Sequence, residues 1–124
     1  MTEQNYTLLC DFYELTMGGG YFKNGLADRV TYFDVFFRNV PDNGGFAVCV
    51  GLEQIINYIN NLHFDKRDID FLRSKGLFDE DFLAYLADLR FTGDIYAIPE
   101  GTPIFPGEPI LTVRAPAVQA GAGA

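Results

Sequence analysis

An α/β fold of the α+β kind, a small sheet packed with helices around one modest core, is predicted by three features of the sequence. Apolar residues recur at helical spacing through the middle of the chain, over 52–62 and again over 65–89. β-Branched and aromatic runs stand at 29–40 and, in shorter pieces, between 94 and 113. The length of 124 residues suits one domain of roughly 100–200 residues, and a hydrophobic fraction of 48% suffices for a core that needs neither disulfides nor metals.

Residues 11–24 read as a helix, with Asp11 placed to cap it, Lys23 near its carboxyl end and Gly25 available as the left-handed terminating residue. Tyr13, Met17 and Tyr21 share a face of that helix. Gly18, Gly19 and Gly20 interrupt it, each at about 1 kcal/mol relative to alanine, and the expected reason is close approach of another backbone. A phosphate-cradling loop is the rival, but neither GxGxxG nor GxxxxGK(S/T) spacing is present. Residues 29–40 follow as a strand whose two alternating faces are both largely apolar, which predicts cover on both sides. Asp34 and Arg38 share one face of it, placed to pair with each other or to meet a ligand.

Pro41 to Gly45 is a dense turn signal, and the apolar run 46–50 beyond it fits a strand or a helix entry. Leu52, Ile55, Ile56, Ile59 and Leu62 then form one stripe expected to be buried. Two more helices are expected at 65–75, closed by Gly76, and at 79–89, each opening on an aspartate able to cap it. Ile69, Phe71 and Leu72 mark the first stripe; Phe82, Leu83, Tyr85 and Leu86 mark the second. Short β-like runs at 94–98, 104–105 and 110–113, separated by Pro and Gly turns, predict a small β-meander. The expected domain spans 1–116; the last residues, 117–124, read AVQAGAGA, a low-complexity end with almost no large apolar anchor, and are expected to fray or to be a truncated end.

A formal net charge of −8 argues against a phosphate-tracking nucleic-acid surface, which concentrates Lys and Arg. No stretch approaches the ~20 apolar residues of a membrane span, and residues 1–9 lack the basic-then-apolar pattern of a signal. A soluble cytoplasmic protein is the expectation. Cys10 and Cys49 sit in apolar surroundings with no second metal ligand at short spacing, so buried thiols are expected. His63, the one histidine, stands at a helix exit where a capping or surface role suits it better than catalysis.

Five stretches in fixed order carry more than composition does: DFYELTMGGGYFKNG, FDVFFRNVP, GGFAVCVGLEQ, GLFDEDFLAYL and IPEGTPIFPGEPILTV. Together, from residue 8 to 116, they resemble the nicotinate phosphoribosyltransferase family. The resemblance implies the amino-terminal domain of a type II phosphoribosyltransferase, which packs beside an irregular α/β barrel that this chain lacks. Family members join nicotinate to phosphoribosyl pyrophosphate to give nicotinate mononucleotide in NAD salvage. The reaction is coupled to ATP hydrolysis through a phosphorylated barrel histidine, with Mg2+ on the phosphates. His63 lies outside every matching motif, so the expected catalytic set of this chain is empty and no cofactor is expected bound to it.

What the resemblance carries over is narrower. The aromatic residue of the D-x-Y motif stacks on the pyridine ring from the neighbouring subunit of a head-to-tail homodimer, and Tyr13 holds that position. Asp11 matches its acidic partner, and Thr16 matches a residue giving a supporting polar contact. The chain alone is therefore expected to be inactive; the alternative is a stand-alone dimerisation or binding module. Hairpins like 100–113 also occur in lipoyl and biotinyl carriers, but Lys23, Lys66 and Lys75 all lie outside that segment. Two departures from the family stand out: AVQAGAGA where a helix towards the barrel is expected, and the unusually glycine-rich run after Met17.

Overall fold

The computed structural model describes residues 4–123 and has the expected α+β composition. Helix α1 (Phe12–Lys23) leads into strand β1 (Val30–Val35), a 3-10 turn at Pro41–Asn43, strand β2 (Ala47–Val48) and helix α2 (Leu52–Asn60). Helices α3 (Lys66–Ser74) and α4 (Glu80–Asp88) precede β3 (Asp94–Ala97), β4 (Pro103–Ile104), β5 (Leu111–Pro116) and α5 (Ala117–Gly123).

The strands do not form a meander. β5 lies between β1 and β3, antiparallel to both, while β4 turns aside to pair with β2. The central strand is the one with alternately buried side chains, Leu111, Val113 and Ala115, and these join Ala120, Phe33, Ile95 and Leu52 in one apolar cluster. β1 ends at Val35, shorter than the 29–40 run, because β5 starts opposite it at Leu111. Beyond that point the Ile110 and Gly107 amides still donate to the Val35 and Phe37 carbonyls.

β1 is an edge strand whose outer face is open, so the expected cover on both sides is absent. Tyr32 is 66% exposed, standing over Arg114, whose guanidinium donates to the Tyr32 hydroxyl at 3.1 Å and to Asp94 at 3.2 Å. Asp34 accepts from the Thr112 hydroxyl at 2.6 Å rather than from Arg38. Arg38 is in none of the ion pairs found among the described residues.

A second cluster fills the space among the helices, centred on Leu62, Leu72, Phe82, Leu83 and Leu86, with Leu15 of α1 and Val118 of α5 reaching in. The segment 117–123, expected to fray, is instead a helix packed on α1, with Val118, Gln119, Ala120 and Ala122 buried; Ala124 lies outside the described residues. The physical reason is that Ala is the best helix former and loses no rotamer freedom on burial. Small residues also let α5 sit close to α1, and Gly121 lies directly under the Glu14 carboxylate, 2.8 Å from where a Cβ would stand.

The α1 glycines answer to side chains rather than to a backbone. A Cβ on Gly18 would stand 3.5 Å from both Phe82 and Val118, and one on Gly19 3.5 Å from Phe82. Those are ordinary van der Waals distances. Gly20 faces nothing within 4 Å, so Gly20→Ala should stabilise the domain by about 0.5–1 kcal/mol through helix propensity alone. A thermal midpoint that fails to rise would contradict this.

The three expected aspartate caps fare differently. Asp65 accepts from the Asp68 amide at 2.9 Å while Asp68 accepts from the Asp65 amide at 3.0 Å, a reciprocal capping box. Asp11 and Asp79 precede their helices in extended conformation, but neither side chain reaches an amide. Hydrogen bonding from the Asp68 amide holds the Asp65 carboxyl below its ordinary value of 3.8. A carboxyl depressed in the folded state stabilises fully above its unfolded value and loses that contribution as pH falls through the lower folded value. The stability gap between the natural chain and Asp65→Asn should therefore be full above pH 3.8 and close below it, as read by melts across an acid series.

Of the expected α2 stripe only its carboxyl-terminal half is buried: Ile59 and Leu62 are in the core, whereas Ile55 and Ile56 face outward. In α3, Ile69 and Leu72 are buried and Phe71 is outside, capped by Lys75 at 4.7 Å from its ring centre. Glu100 caps α2 from a distant loop, its carboxylate accepting from the Gly51 and Leu52 amides at 2.9 and 2.8 Å.

Candidate functional site

The three residues singled out in the sequence lie together at the start of α1. Phe12 anchors that start, its ring edge-on to Phe78 with centres 5.8 Å apart. Leu15 and Gly18 turn into the core, so helical geometry leaves Tyr13, Thr16 and Met17 on the outward side. Tyr13 is 56% exposed. The Thr16 hydroxyl donates to the Tyr13 carbonyl at 3.0 Å, tying it to the helix rather than leaving it aimed at a ligand. Asp11, free of the capping role, presents an exposed carboxylate one residue before the helix.

Glu14, which the sequence reading passed over, sets the local electrostatics. Its carboxylate, by hydrogen bonding and then by charge, with burial and Asp11 adding less, pushes the Tyr13 phenol above its ordinary value of 10.0. The phenol is therefore neutral throughout the physiological range, and its ring is a flat, uncharged surface. Burial first, then Glu14 and Asp11, pushes the neighbouring Cys10 thiol upward as well, the opposite of what an activated nucleophile needs. Cys49 is buried and its thiol donates to the Ile98 carbonyl at 3.7 Å. The His63 ring shares a hydrogen at Nδ1 with the Asn61 carbonyl, 2.6 Å away and just past the end of α2, a local role that leaves no thiol–imidazole pair.

Gly18, Gly19 and Gly20 are helical and cradle no anion. The nearest hollow, about 420 Å³ between α1 and α4, is lined by Thr16, Gly20, Lys23 and Asp79 among others, and neither Tyr13 nor Asp11 belongs to it. Thus the structure gathers Asp11, Tyr13 and Thr16 on one turn and a half of helix without enclosing them. A ring laid on Tyr13 would be covered on one face only. Among the described residues, no three His, Cys, Asp or Glu side chains come close enough to hold a metal ion, and no helix is long and apolar enough to cross a membrane.

Residues 8–122 match the family model described as the nicotinate phosphoribosyltransferase (NAPRTase) N-terminal domain. The chain belongs to that family. Over 113 residues it is 38% identical to the nicotinate phosphoribosyltransferase pncB2 of Mycobacterium tuberculosis, covering 91% of this chain and 24% of that protein. Over 118 residues it is 37% identical to nicotinate phosphoribosyltransferase of Bacillus subtilis, covering 95% and 24%. The crystal structure of human nicotinic acid phosphoribosyltransferase superposes with a TM-score of 0.80 at 32% identity, over 90% of this chain and 23% of that one. The chain thus spans about a quarter of the length of these nicotinate phosphoribosyltransferases, and its α+β architecture is that of their N-terminal domain.

Proposed function

We propose that this chain serves as the N-terminal domain of an enzyme that joins nicotinate to phosphoribosyl pyrophosphate. ATP hydrolysis drives the step, and the product is nicotinate mononucleotide for NAD salvage. The observation that carries the reading is the match of residues 8–122 to that one domain, in a chain whose aromatic candidate lies on an open surface. In that enzyme, a homodimer, the Tyr13 ring lies against the pyridine ring. Dispersion and quadrupole attraction between the two rings fix the orientation in which the pyridine nitrogen meets the ribose carbon as pyrophosphate leaves.

Asp11 adds a carboxylate beside the ring, and Thr16 holds the first turn through its bond to the Tyr13 carbonyl. Mg2+ and ATP are bound by the larger part of that enzyme, outside the segment this chain matches. No step of phosphoryl transfer is assigned to any residue here.

The test is replacement of the matching segment of the Bacillus subtilis relative by residues 8–122, followed by assay of nicotinate mononucleotide formation from nicotinate, phosphoribosyl pyrophosphate and Mg-ATP. Activity within about tenfold of the parent is expected, since family domains of this identity keep their packing while tolerating sequence change. The purified 124-residue chain should form none. A folded but inactive chimera, or turnover by the isolated chain, would overturn the reading.

A further inference from the structure

Two Asn-Gly pairs stand in the chain, Asn24-Gly25 and Asn43-Gly44. An asparagine followed by glycine is chemically vulnerable. Its side-chain amide carbon lies within reach of the next backbone nitrogen, and glycine has no Cβ to hinder the approach. The fold treats the two pairs differently.

Asn24 closes α1 and is tied down there. Its side-chain amide donates to the Gly20 carbonyl at 2.8 Å, its backbone amide to the same carbonyl at 3.2 Å, and the Gly25 amide to the Phe22 carbonyl at 3.2 Å. The Leu26 amide then donates to the Tyr21 carbonyl at 2.8 Å, and Ala27 is buried. Asn43, by contrast, is exposed, as is every residue from 41 to 46. Among the described residues its side chain is in no hydrogen bond, and the pair is held by the Gly44 amide donating to the Pro41 carbonyl at 3.1 Å. Asp42 and Asn43 stand at positive φ, 59° and 54°, a region that residues other than glycine enter at some cost. Neither apolar cluster includes this segment, so opening the turn breaks little more than one exposed hydrogen bond.

We propose that Asn43 is a site of self-modification, converting in the folded protein to aspartate and isoaspartate, while the end of α1 keeps Asn24 intact. The Gly44 nitrogen, once off the Pro41 carbonyl, gives its proton to solvent base and attacks Asn43 Cγ. The new N–Cγ bond closes a five-membered succinimide. The Cγ–Nδ2 bond breaks, and that nitrogen takes up a proton and leaves as ammonia. Water then opens the ring: cleavage of the new N–Cγ bond gives aspartate, and cleavage at the main-chain carbonyl gives isoaspartate. Water is the only co-reactant, and nothing is oxidised or reduced.

Either product adds one negative charge to the −8 of the chain. Isoaspartate also routes the main chain through Cβ, lengthening the turn that leads into β2. Because the segment lies outside both apolar clusters, the modified chain stays folded and accumulates.

The test is to age the purified chain in mildly alkaline buffer, follow both Asn-Gly peptides by mass spectrometry after digestion, and measure the ammonia released. Asn43 should convert about tenfold faster than Asn24 or more, since Asn24 reacts only when the end of α1 opens. In denaturant the two rates should converge to within about twofold, because the fold alone separates them. Asn43→Gln, whose longer side chain disfavours ring closure, should remove most of the ammonia released by the folded chain. Equal conversion at the two sites in the folded chain, or faster conversion at Asn24, overturns the proposal. So does ammonia release unchanged by Asn43→Gln. An Asn43 that survives in the folded chain and converts only in denaturant overturns it too, since the Pro41 turn would then be a shield.

Discussion

Gly93→Ala should destabilise the domain by about 3 kcal/mol, at the upper end of what overpacking costs, and lower its thermal midpoint by about 10 °C or more. Gly93 leads into β3 directly alongside β5, and a Cβ there would collide with the Arg114 carbonyl oxygen and stand 2.6 Å from the Ala115 Cβ and 3.0 Å from its Cα. None of these atoms belongs to a side chain that can swing away. Relief would require β3 to part from the central strand.

The adjoining residue prevents that retreat. The Thr92 amide and hydroxyl both donate to Gln119 Oε1, at 2.8 and 3.2 Å, and Gln119 is itself buried in α5. Moving the segment outward would strand that buried acceptor, adding the cost of an unmet hydrogen bond to the clash. A melt followed by circular dichroism reads the effect. A midpoint within a degree or two of the natural chain would show that β3 can shift freely.

Tyr13→Ala is expected to leave that melt unchanged, since the ring is largely exposed and touches no buried cluster. In the active chimera, however, it should lower kcat/KM for nicotinate by roughly 10- to 100-fold, the scale of one lost ring-stacking contact in a bound state. Tyr13→Phe keeps the ring and should retain most of the activity. Because the phenol stays neutral well above physiological pH, neither variant should alter the shape of the pH profile between about pH 6 and 9, below an ordinary tyrosine titration. Full activity of Tyr13→Ala would remove the stacking role. A matching fall in the melt would recast Tyr13 as a structural residue.

The sequence made the helices legible because their stripes and terminators act locally. Gly25 and Gly76 end α1 and α3 at positive φ, as their positions suggested, and Asp65 caps α3 as expected. What was not legible depends on distant partners. Glu100 caps α2 from a loop that no local pattern connects to it, and the pairing of β4 with β2 instead of β5 is set by packing across the whole chain.

The end of the domain misled for a different reason. Composition scores each alanine by its own small apolar surface, whereas α5 is stabilised by how closely small residues allow it to approach α1. The candidate site was legible only through the D-x-Y resemblance. By physical reading alone Tyr13 is one more exposed aromatic, and Asp11 a capping residue that in fact does not cap.

The central position of β5 also dictates the order in which the domain can be assembled. Thr31 and the Ala115 carbonyl that its hydroxyl meets are 84 positions apart, so β1 leaves the ribosome long before β5, its neighbour in the sheet. At synthesis rates of about 5–20 residues per second, that strand waits roughly 4–17 s for its partner. The α3–α4 pair has no such delay, because the two helices are adjacent in the chain and pack on each other. Before β5 and α5 are made, both the aromatic, β-prone strand β1 and the face of α1 that meets α5 lack their partners. Closure of the sheet is a slow, long-range step, and it is the interval in which a chaperone would have most to protect.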